Sequence, residues 1–251
     1  MNATMKKALL FCLFLIPAAA AAGIFTALYQ FDVYDPAVLE QILSQIGGEG
    51  ALIVMTAVQT VIYAVICGFF GYIIAEKLGL MRSFRFEKAK LIPALVITLV
   101  AGILFSLDYW ISGTADPALR EGTAGGLTPE AFLASVLYGG IIEEVMMRLL
   151  LMSLIALVIW KIFFRKQEVV PTGVLIAANL AAALLFAAGH LPSSILIFGE
   201  LSPLILIRCF LLNGGFGLVF GYLYRKYGIQ YGMLAHAGCH VISKVIWLIF
   251  I

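Results

Sequence analysis

The feature that most constrains this chain is a series of long apolar runs separated by short polar segments. About 20 apolar residues in a helix are enough to cross the hydrocarbon core of a bilayer. Because the 251 residues are 63% hydrophobic and only 12% charged, a soluble fold is excluded. We therefore predict an all-α, polytopic membrane helix bundle with about seven transmembrane helices, at residues 8–28, 51–75, 91–111, 131–160, 173–191, 203–224 and 229–251.

The basic residues predict the orientation of these helices. Twelve of the 16 Lys and Arg residues lie at the N-terminus and in alternate connecting segments, and such residues are enriched on the cytoplasmic side. We expect a multi-pass protein of the cell membrane with a cytoplasmic N-terminus. The run at 8–28 also resembles a signal peptide, but its length favours a retained helix. The segments at 29–50 and 112–130 are expected to be polar loops.

The remaining composition limits domains and partners. The sequence contains no polybasic segment of the kind that binds nucleic acids. No pair of cysteines has motif spacing, so we interpret all four as reduced packing residues. We expect a single membrane domain, with a three-helix region at 1–127 followed by a catalytic region at 128–251. Thr128 and Pro129 are typical of a helix start, as N-cap and first helical residue.

Two acids and a base lie inside the fourth apolar run, at Glu143, Glu144 and Arg148. Charge at membrane depth costs at least about 2.5–3.5 kcal/mol per residue, which makes such residues candidates for a functional site. Neighbouring residues differ by about 100° around a helix, whereas Arg148 is at i+4 from Glu144 and can neutralise it. Glu143 then has no partner in its own helix and can act as a general base. The alternative is a structural ion pair plus one acid that meets another helix.

All three histidines of the chain lie in apolar segments. His190 follows Phe186 by one helical turn, and the two side chains share a face. His236 and His240 are at i, i+4, so both point the same way from one helix. A lone histidine in such a helix is usually a hydrogen-bonded core residue. Three histidines beside a spare carboxylate indicate a catalytic cluster instead.

Taken in order, these motifs resemble those of the CPBP (Abi) intramembrane proteases, a family that includes type II CAAX prenyl endopeptidases and bacteriocin-processing proteins. The resemblance covers roughly residues 128–245 and rests on Glu143-Glu144-x-x-x-Arg148, Phe186-x-x-x-His190 and His236-x-x-x-His240.

The resemblance implies a glutamate-type intramembrane endopeptidase that acts on a membrane-associated or prenylated peptide. Glu143, helped by His190, would activate a water, and His236 with His240 would stabilise the oxyanion. The family usually has Asn or Asp where this chain has His240, and a neutral imidazole donates only one proton. Three further residues would support the site: Glu144, Arg148 and Phe186.

Two alternatives to a metal-free peptidase stay open. The carboxylate and the three histidines are also a plausible zinc set, which would make the protein a metalloprotease. A catalytically silent scaffold or a small-molecule transporter would use the same polar residues as a structural or proton-relay network. We expect no metal and no cofactor, and a peptide or lipidated peptide as the substrate.

Residue counting gives two further expectations. At about 1.5 Å per residue, Glu143 and His190 meet if the helices are strongly tilted or if the fifth span lies deeper, so that residues 191–200 complete the crossing. We favour the second arrangement, because Pro192 would break the helix just past a buried site. Asp108 is expected to pair with Arg208 or with Lys244, because unpaired charges in a membrane are costly. The alternative is that both bases extend to the interface.

Overall fold

The computed structural model describes residues 2–251, with residues 122–125 described by their backbone alone. Every element in this part of the chain is a helix, and seven helical segments are long and apolar enough to cross a membrane. The predicted all-α bundle with seven spans is therefore confirmed. In chain order, the first to seventh spans are Ala3–Val33, Glu49–Lys77, Lys88–Ala115, Pro129–Phe163, Thr172–Phe198, Pro203–Tyr227 and Ile229–Phe250.

The surface of the bundle has the character expected for contact with lipid. Phe14, Leu211 and Leu248 are 75%, 68% and 65% exposed, and they belong to a large set of exposed apolar side chains around the spans. Soluble monomers rarely present apolar surface on this scale. The protein is a multi-pass membrane protein.

Two segments expected as loops contain helices, which corrects the sequence interpretation. Pro36–Ile46 and Pro117–Gly125 are helical. The first of them begins at a strong local signal, because the Asp35 carboxylate accepts hydrogen bonds from the backbone N–H groups of Ala37 and Val38. A capping acid followed by proline starts a helix even in a polar segment.

The fourth span begins at the predicted residue and then widens. The Thr128 hydroxyl accepts a hydrogen bond from the backbone N–H of Ala131 at 3.2 Å, as expected of an N-cap. The helix then takes π geometry, with i to i+5 hydrogen bonds, a form that is found frequently at functional sites. Its consecutive segments are Pro129–Ala134, the π-helical Ser135–Glu143 and Val145–Met152, and the α-helical Ser153–Phe163.

Three other spans are also made of consecutive helical segments. The third comprises Lys88–Ser106 and Asp108–Ala115, and the fifth comprises Thr172–Gly189 and Leu191–Phe198. The sixth has a π-helical centre, with Pro203–Cys209, Phe210–Gly214 and Gly215–Tyr227.

The packing of the spans brings the polar motifs to the centre of the bundle. The first span packs along the second, and the seventh packs along both the third and the π-helical part of the fourth. A Cβ added to Gly140 would lie 2.5 Å from the Ala237 Cβ. Small residues allow such close approach between membrane helices. Glycine at this position lets the helix that carries two histidines lie directly against the helix that carries the two glutamates.

Asp108 pairs with Arg208, which confirms one of the two expected partners. The Arg208 Nε and Nη2 donate to the Asp108 Oδ2 at 2.8 and 2.6 Å, and the Ser112 hydroxyl donates to Oδ1 at 2.6 Å. Lys244 does not join the pair. Its side chain is buried, so the alternative that both bases extend to the interface does not hold for this residue.

The cysteines are unpaired in the described part of the chain, as predicted, and three of them are buried: Cys12, Cys209 and Cys239.

Candidate active site

The four side chains expected to be catalytic line one cavity. It has a volume of about 300 Å³ and lies between the fourth, fifth, sixth and seventh spans, with the first and third spans closing its wall. Its ionisable acid and imidazole groups are Glu143, His190, His236 and His240. The Glu143 side chain is 17% exposed, and this exposed part faces the cavity.

Glu143 and His190 face each other across a short gap. The Glu143 Oε1 lies 3.7 Å from the His190 Nε2, too far for a direct hydrogen bond. The other ring nitrogen of His190, Nδ1, lies 2.8 Å from the Phe186 carbonyl oxygen. Because a carbonyl only accepts, Nδ1 carries the hydrogen, and the Nε2 of the neutral ring is a lone-pair acceptor. Two proton acceptors therefore flank the same point of the cavity.

His236 contacts both glutamates through its two ring nitrogens. Its Nδ1 is 2.9 Å from the Glu144 Oε1, and its Nε2 is 3.9 Å from the Glu143 Oε2. The ring also stacks on Phe220, with centroids 4.4 Å apart. The Glu144 carboxylate thus fixes the ring orientation and holds hydrogen on Nδ1, as second partners of functional histidines commonly do. The sequence did not predict this contact, because it crosses from the fourth span to the seventh.

Glu144 and Arg148 form the expected i, i+4 ion pair. The Glu144 Oε1 and the Arg148 Nη1 are 3.4 Å apart, and both side chains are almost wholly buried. The guanidinium also donates from Nη2 to the Gly217 carbonyl at 3.1 Å and lies 4.6 Å from the centre of the Phe186 ring. These contacts bind the fourth span to the fifth and sixth. They also give the two neighbouring acids different environments, since Glu144 is enclosed by protein and Glu143 borders the cavity.

His240 lies on the same cavity wall, one turn beyond His236. Their rings stack with centroids 5.1 Å apart. A Cβ added to Gly139 would lie 3.0 Å from the His240 Nε2 and 3.7 Å from the His236 Nε2. A glycine before the glutamate motif therefore leaves room for both imidazole edges.

The position of His190 follows from the shape of the fifth span. Its first helix ends at Gly189, and a second helix begins at Leu191 and runs to Phe198. The span thus continues past Pro192, as expected, and His190 lies at an internal junction. The His190 carbonyl accepts a hydrogen bond from the backbone N–H of Ser194 at 3.0 Å, and the hydroxyls of Ser193 and Ser194 each donate to it as well, at 2.9 Å.

Several polar residues of the cavity wall were missed by the sequence interpretation, among them Tyr29, Tyr138 and Asn213. Tyr138 precedes Glu143 by five residues, which is one turn of a π-helix. In an α-helix, residues that are five positions apart point in different directions. The sequence pattern therefore did not predict that Tyr138 lies near Glu143. Tyr29 comes from the first span and Asn213 from the sixth, and only the tertiary structure brings them to the site.

The zinc interpretation can be compared with the donor geometry. In the described part of the chain, no group of three or more His, Cys, Asp or Glu side chains is arranged to hold a metal ion. The histidines are instead engaged with Phe186, Glu144 and neighbouring rings.

Comparison with known proteins gives one match. Residues 126–242 match the family model described as type II CAAX prenyl endopeptidase Rce1-like. No curated protein and no solved structure matches. The matched region contains every residue of the cluster described above, from Glu143 to His240.

Proposed function

We propose a function that proceeds from the family of this chain: residues 126–242 belong to the Rce1-like family of type II CAAX prenyl endopeptidases. Membership implies a peptidase of the CAAX type within the membrane. Our proposal is that Glu143 and His190 activate a water that hydrolyses a peptide bond. Residues 128–251 would form the catalytic core, and residues 1–127 would support it and complete the cavity wall.

The pair of acceptors across the gap from Glu143 to His190 carries this proposal. A water held between the Glu143 Oε1 and the His190 Nε2, which are 3.7 Å apart, can donate one hydrogen to each. Its free lone pair then points into the cavity toward a carbonyl carbon. As the oxygen attacks, the proton passes to the carboxylate, and from there to the leaving amine. The step needs no covalent intermediate with the protein.

His236 and His240 are the proposed oxyanion donors. Hydrogen counting adds a condition for His236: its Nδ1 hydrogen is directed to Glu144, so Nε2 donates only when the ring is an imidazolium. Preorganised hydrogen-bond donors in a site that excludes water stabilise a developing oxyanion strongly.

The remaining assignments follow from the family and the apolar spans. We propose a peptide or lipidated-peptide substrate that reaches the cavity from the bilayer, in the cell membrane, with the N-terminus cytoplasmic. The distribution of Lys and Arg supports this orientation.

A cleavage assay with a panel of peptides tests the function. Purified protein in detergent or vesicles is incubated with prenylated, acylated and unmodified peptides, and products are identified by mass spectrometry. We expect cleavage of at least one class by the wild type and none by Glu143→Gln. Glu87→Gln is a matched control, since this acid is exposed and does not line the cavity. A wild type that cleaves none of the panel, while transporting or only binding peptides, contradicts the proposal.

A further inference from the structure

The two ends of the bundle carry different charges. Twelve of the 16 Lys and Arg residues lie at one end, which we call the base-rich end: residues 1–7, 76–90, 161–166 and 225–226. The connecting segments at the other end contain several acids and one base, Arg120, and we call this the acid-rich end: residues 29–50, 112–130 and 199–202. The proposed orientation places the base-rich end in the cytoplasm and the acid-rich end outside.

The catalytic cavity lies toward the acid-rich end of the spans that surround it. The first span reaches this end at Val33, and its described lining residues begin only at Thr26. The fourth span starts at this end, and its lining residues lie between Ala134 and Glu143. Two spans that run in opposite directions therefore contribute the same half of their length.

The fifth span agrees with this placement. It starts at the base-rich end and finishes at Phe198, and its lining residues run from Phe186 to Ile197. In the seventh span, His236 and His240 lie near the middle. The catalytic side chains are thus at mid-membrane, and the open space beside them extends toward the acid-rich end.

A second cavity of about 260 Å³ continues in the same direction. It shares His190 and His240 with the first cavity. Its lining also includes Gly126, in the segment before the fourth span, and Phe198, the last residue of the fifth. Together the two cavities reach from the catalytic residues to the acid-rich end of the bundle.

The interior on the other side of the catalytic residues is packed. Leu149, Met152 and Tyr224 lie between Glu143 and the base-rich end, and each has 0% of its surface exposed. The hydroxyls of Tyr224 and Ser153 share a hydrogen bond of 2.8 Å in this layer. Within the described residues, the fourth span contributes nothing beyond Glu143 to the catalytic cavity. These buried side chains close the path from the cavity to the base-rich end.

A separate cavity of about 920 Å³ lies at the base-rich end, where Lys7 and Arg82 line it. Among the described residues, none of the four proposed catalytic side chains belongs to its wall. It therefore does not expose the catalytic residues to this end of the bundle.

We infer that the catalytic cavity opens to the outer side of the membrane, and that the substrate is a membrane-anchored peptide whose cleaved segment lies at the outer face. This inference rests on the proposed peptidase function and on the proposed orientation. A segment held at the cytoplasmic face would have to pass the packed layer to reach Glu143.

Cysteine labelling from each side of the membrane tests where the cavity opens. Three matched variants are used: Ser193→Cys in the cavity wall, Ser44→Cys at an exposed position of the acid-rich end, and Ser83→Cys at an exposed position of the base-rich end. A charged maleimide is added to right-side-out and to inverted membrane vesicles. The wild type, with its four native cysteines, gives the background.

The reference positions show which end of the protein each vesicle presents. We expect Ser193→Cys and Ser44→Cys to react at least about 10-fold faster in right-side-out vesicles, because a charged reagent crosses a bilayer slowly. Ser83→Cys should show the reverse. Reaction of Ser193→Cys from the same side as Ser83→Cys contradicts the inference, and so does a Ser193→Cys that reacts from neither side.

Cleavage by the wild type tests the same point without any variant. A peptide that the detergent-solubilised protein cleaves is prepared with a charged group at both ends and added to each kind of vesicle. We expect cleavage by intact right-side-out vesicles, and cleavage by inverted vesicles only after detergent is added. Faster cleavage by intact inverted vesicles would overturn the inference.

The two measurements separate this inference from the proposed function. If no peptide is cleaved in detergent, the peptidase function fails, and the labelling of Ser193→Cys alone decides the side on which the cavity opens. If a peptide is cleaved from the cytoplasmic side, the peptidase function stands and the outward opening is wrong.

Discussion

Glu143 and Glu144 are neighbours in the sequence, but their side chains have different environments. The Glu143 side chain keeps 17% of its surface exposed to the cavity, whereas Glu144 is fully buried against Arg148 and His236. The first is free to exchange a proton with a substrate or a water. The second is enclosed by a base and an imidazole, and its charge holds the site together.

We predict that the two acids differ in what their removal costs. Glu143→Gln should abolish turnover with little change in Tm, because it leaves the buried pair intact. Glu144→Gln should destabilise the fold by about 3–5 kcal/mol, since it leaves the buried Arg148 uncompensated. Thermal unfolding and cleavage rates of both variants measure this contrast. Our assignment of roles is inverted if Glu144→Gln stays folded and inactive while Glu143→Gln is active.

His240 stands where the family usually has Asn or Asp, and this gives a second prediction. If its ring supplies an oxyanion donor, His240→Ala should lower kcat by about 10²–10³-fold, as for loss of one such donor. His240→Asn restores a donor of similar reach and should recover most of that loss. Equal activity of the wild type and His240→Ala would remove His240 from the proposed oxyanion site, with Asn213 on the same wall as the next residue to vary.

At the scale of elements, the close contact between the fourth and seventh spans positions the site. A Cβ on Gly140 would lie 2.5 Å from the Ala237 Cβ and 2.9 Å from its backbone nitrogen. We predict that Gly140→Ala forces the helices apart and costs about 1–3 kcal/mol, as overpacking does. Cleavage should fall as well, because Glu143 and His236 would separate.

Gly173 provides the matched control for this variant. A Cβ at Gly173 would meet nothing within 4 Å, so Gly173→Ala should be neutral or slightly stabilising, by about 0.4–1 kcal/mol. Differential scanning fluorimetry of both alanine variants makes the comparison. Similar Tm values for the two would show that the contact between the spans is not tight.

The spans themselves could be predicted, whereas their internal shape could not. A run of about 20 apolar residues is a sufficient signal for a crossing helix, and Thr128 with Pro129 predicted the start of the fourth span. The π geometry from Ser135 to Met152 has no such signal, since apolar residues on every face fit i+4 and i+5 equally well. The contact between Glu144 and His236 was missed because it depends on how two distant spans pack.

At the scale of the whole molecule, the pair of Asp108 with Arg208 connects the third span to the sixth. The carboxylate is 4% exposed and accepts hydrogen bonds from two nitrogens of the guanidinium. We predict that Asp108→Asn lowers the stability by about 1.5–3 kcal/mol, because the partly buried Arg208 then loses its charged hydrogen-bond acceptor. Glu87→Gln breaks the exposed pair with Lys90 and should cost less than about 1 kcal/mol. An unchanged Tm for Asp108→Asn would show that the pair contributes nothing to the bundle.

The sequence predicted this pair and the cluster of Glu143 with the histidines for the same physical reason. Charged side chains within membrane spans are costly alone, so a chain with few of them is expected to bring them together. That reasoning identified the polar residues but not the walls around them. Tyr29 and Tyr138 carry no charge and no spacing that distinguishes them from other aromatic residues of the spans, so their place beside Glu143 emerges only from the structure.

Hydrolysis in ¹⁸O-labelled water, with a chelator present throughout, tests the central claim most directly. The measurement follows the new C-terminal carboxylate of the product by mass spectrometry during turnover by the wild type and by Glu143→Gln. We predict that the metal-depleted wild type forms a product with one ¹⁸O atom in that carboxylate, and that folded Glu143→Gln forms none. Cleavage by Glu143→Gln at the wild-type rate, or loss of wild-type activity together with a stoichiometric zinc ion, would contradict a water activated by Glu143.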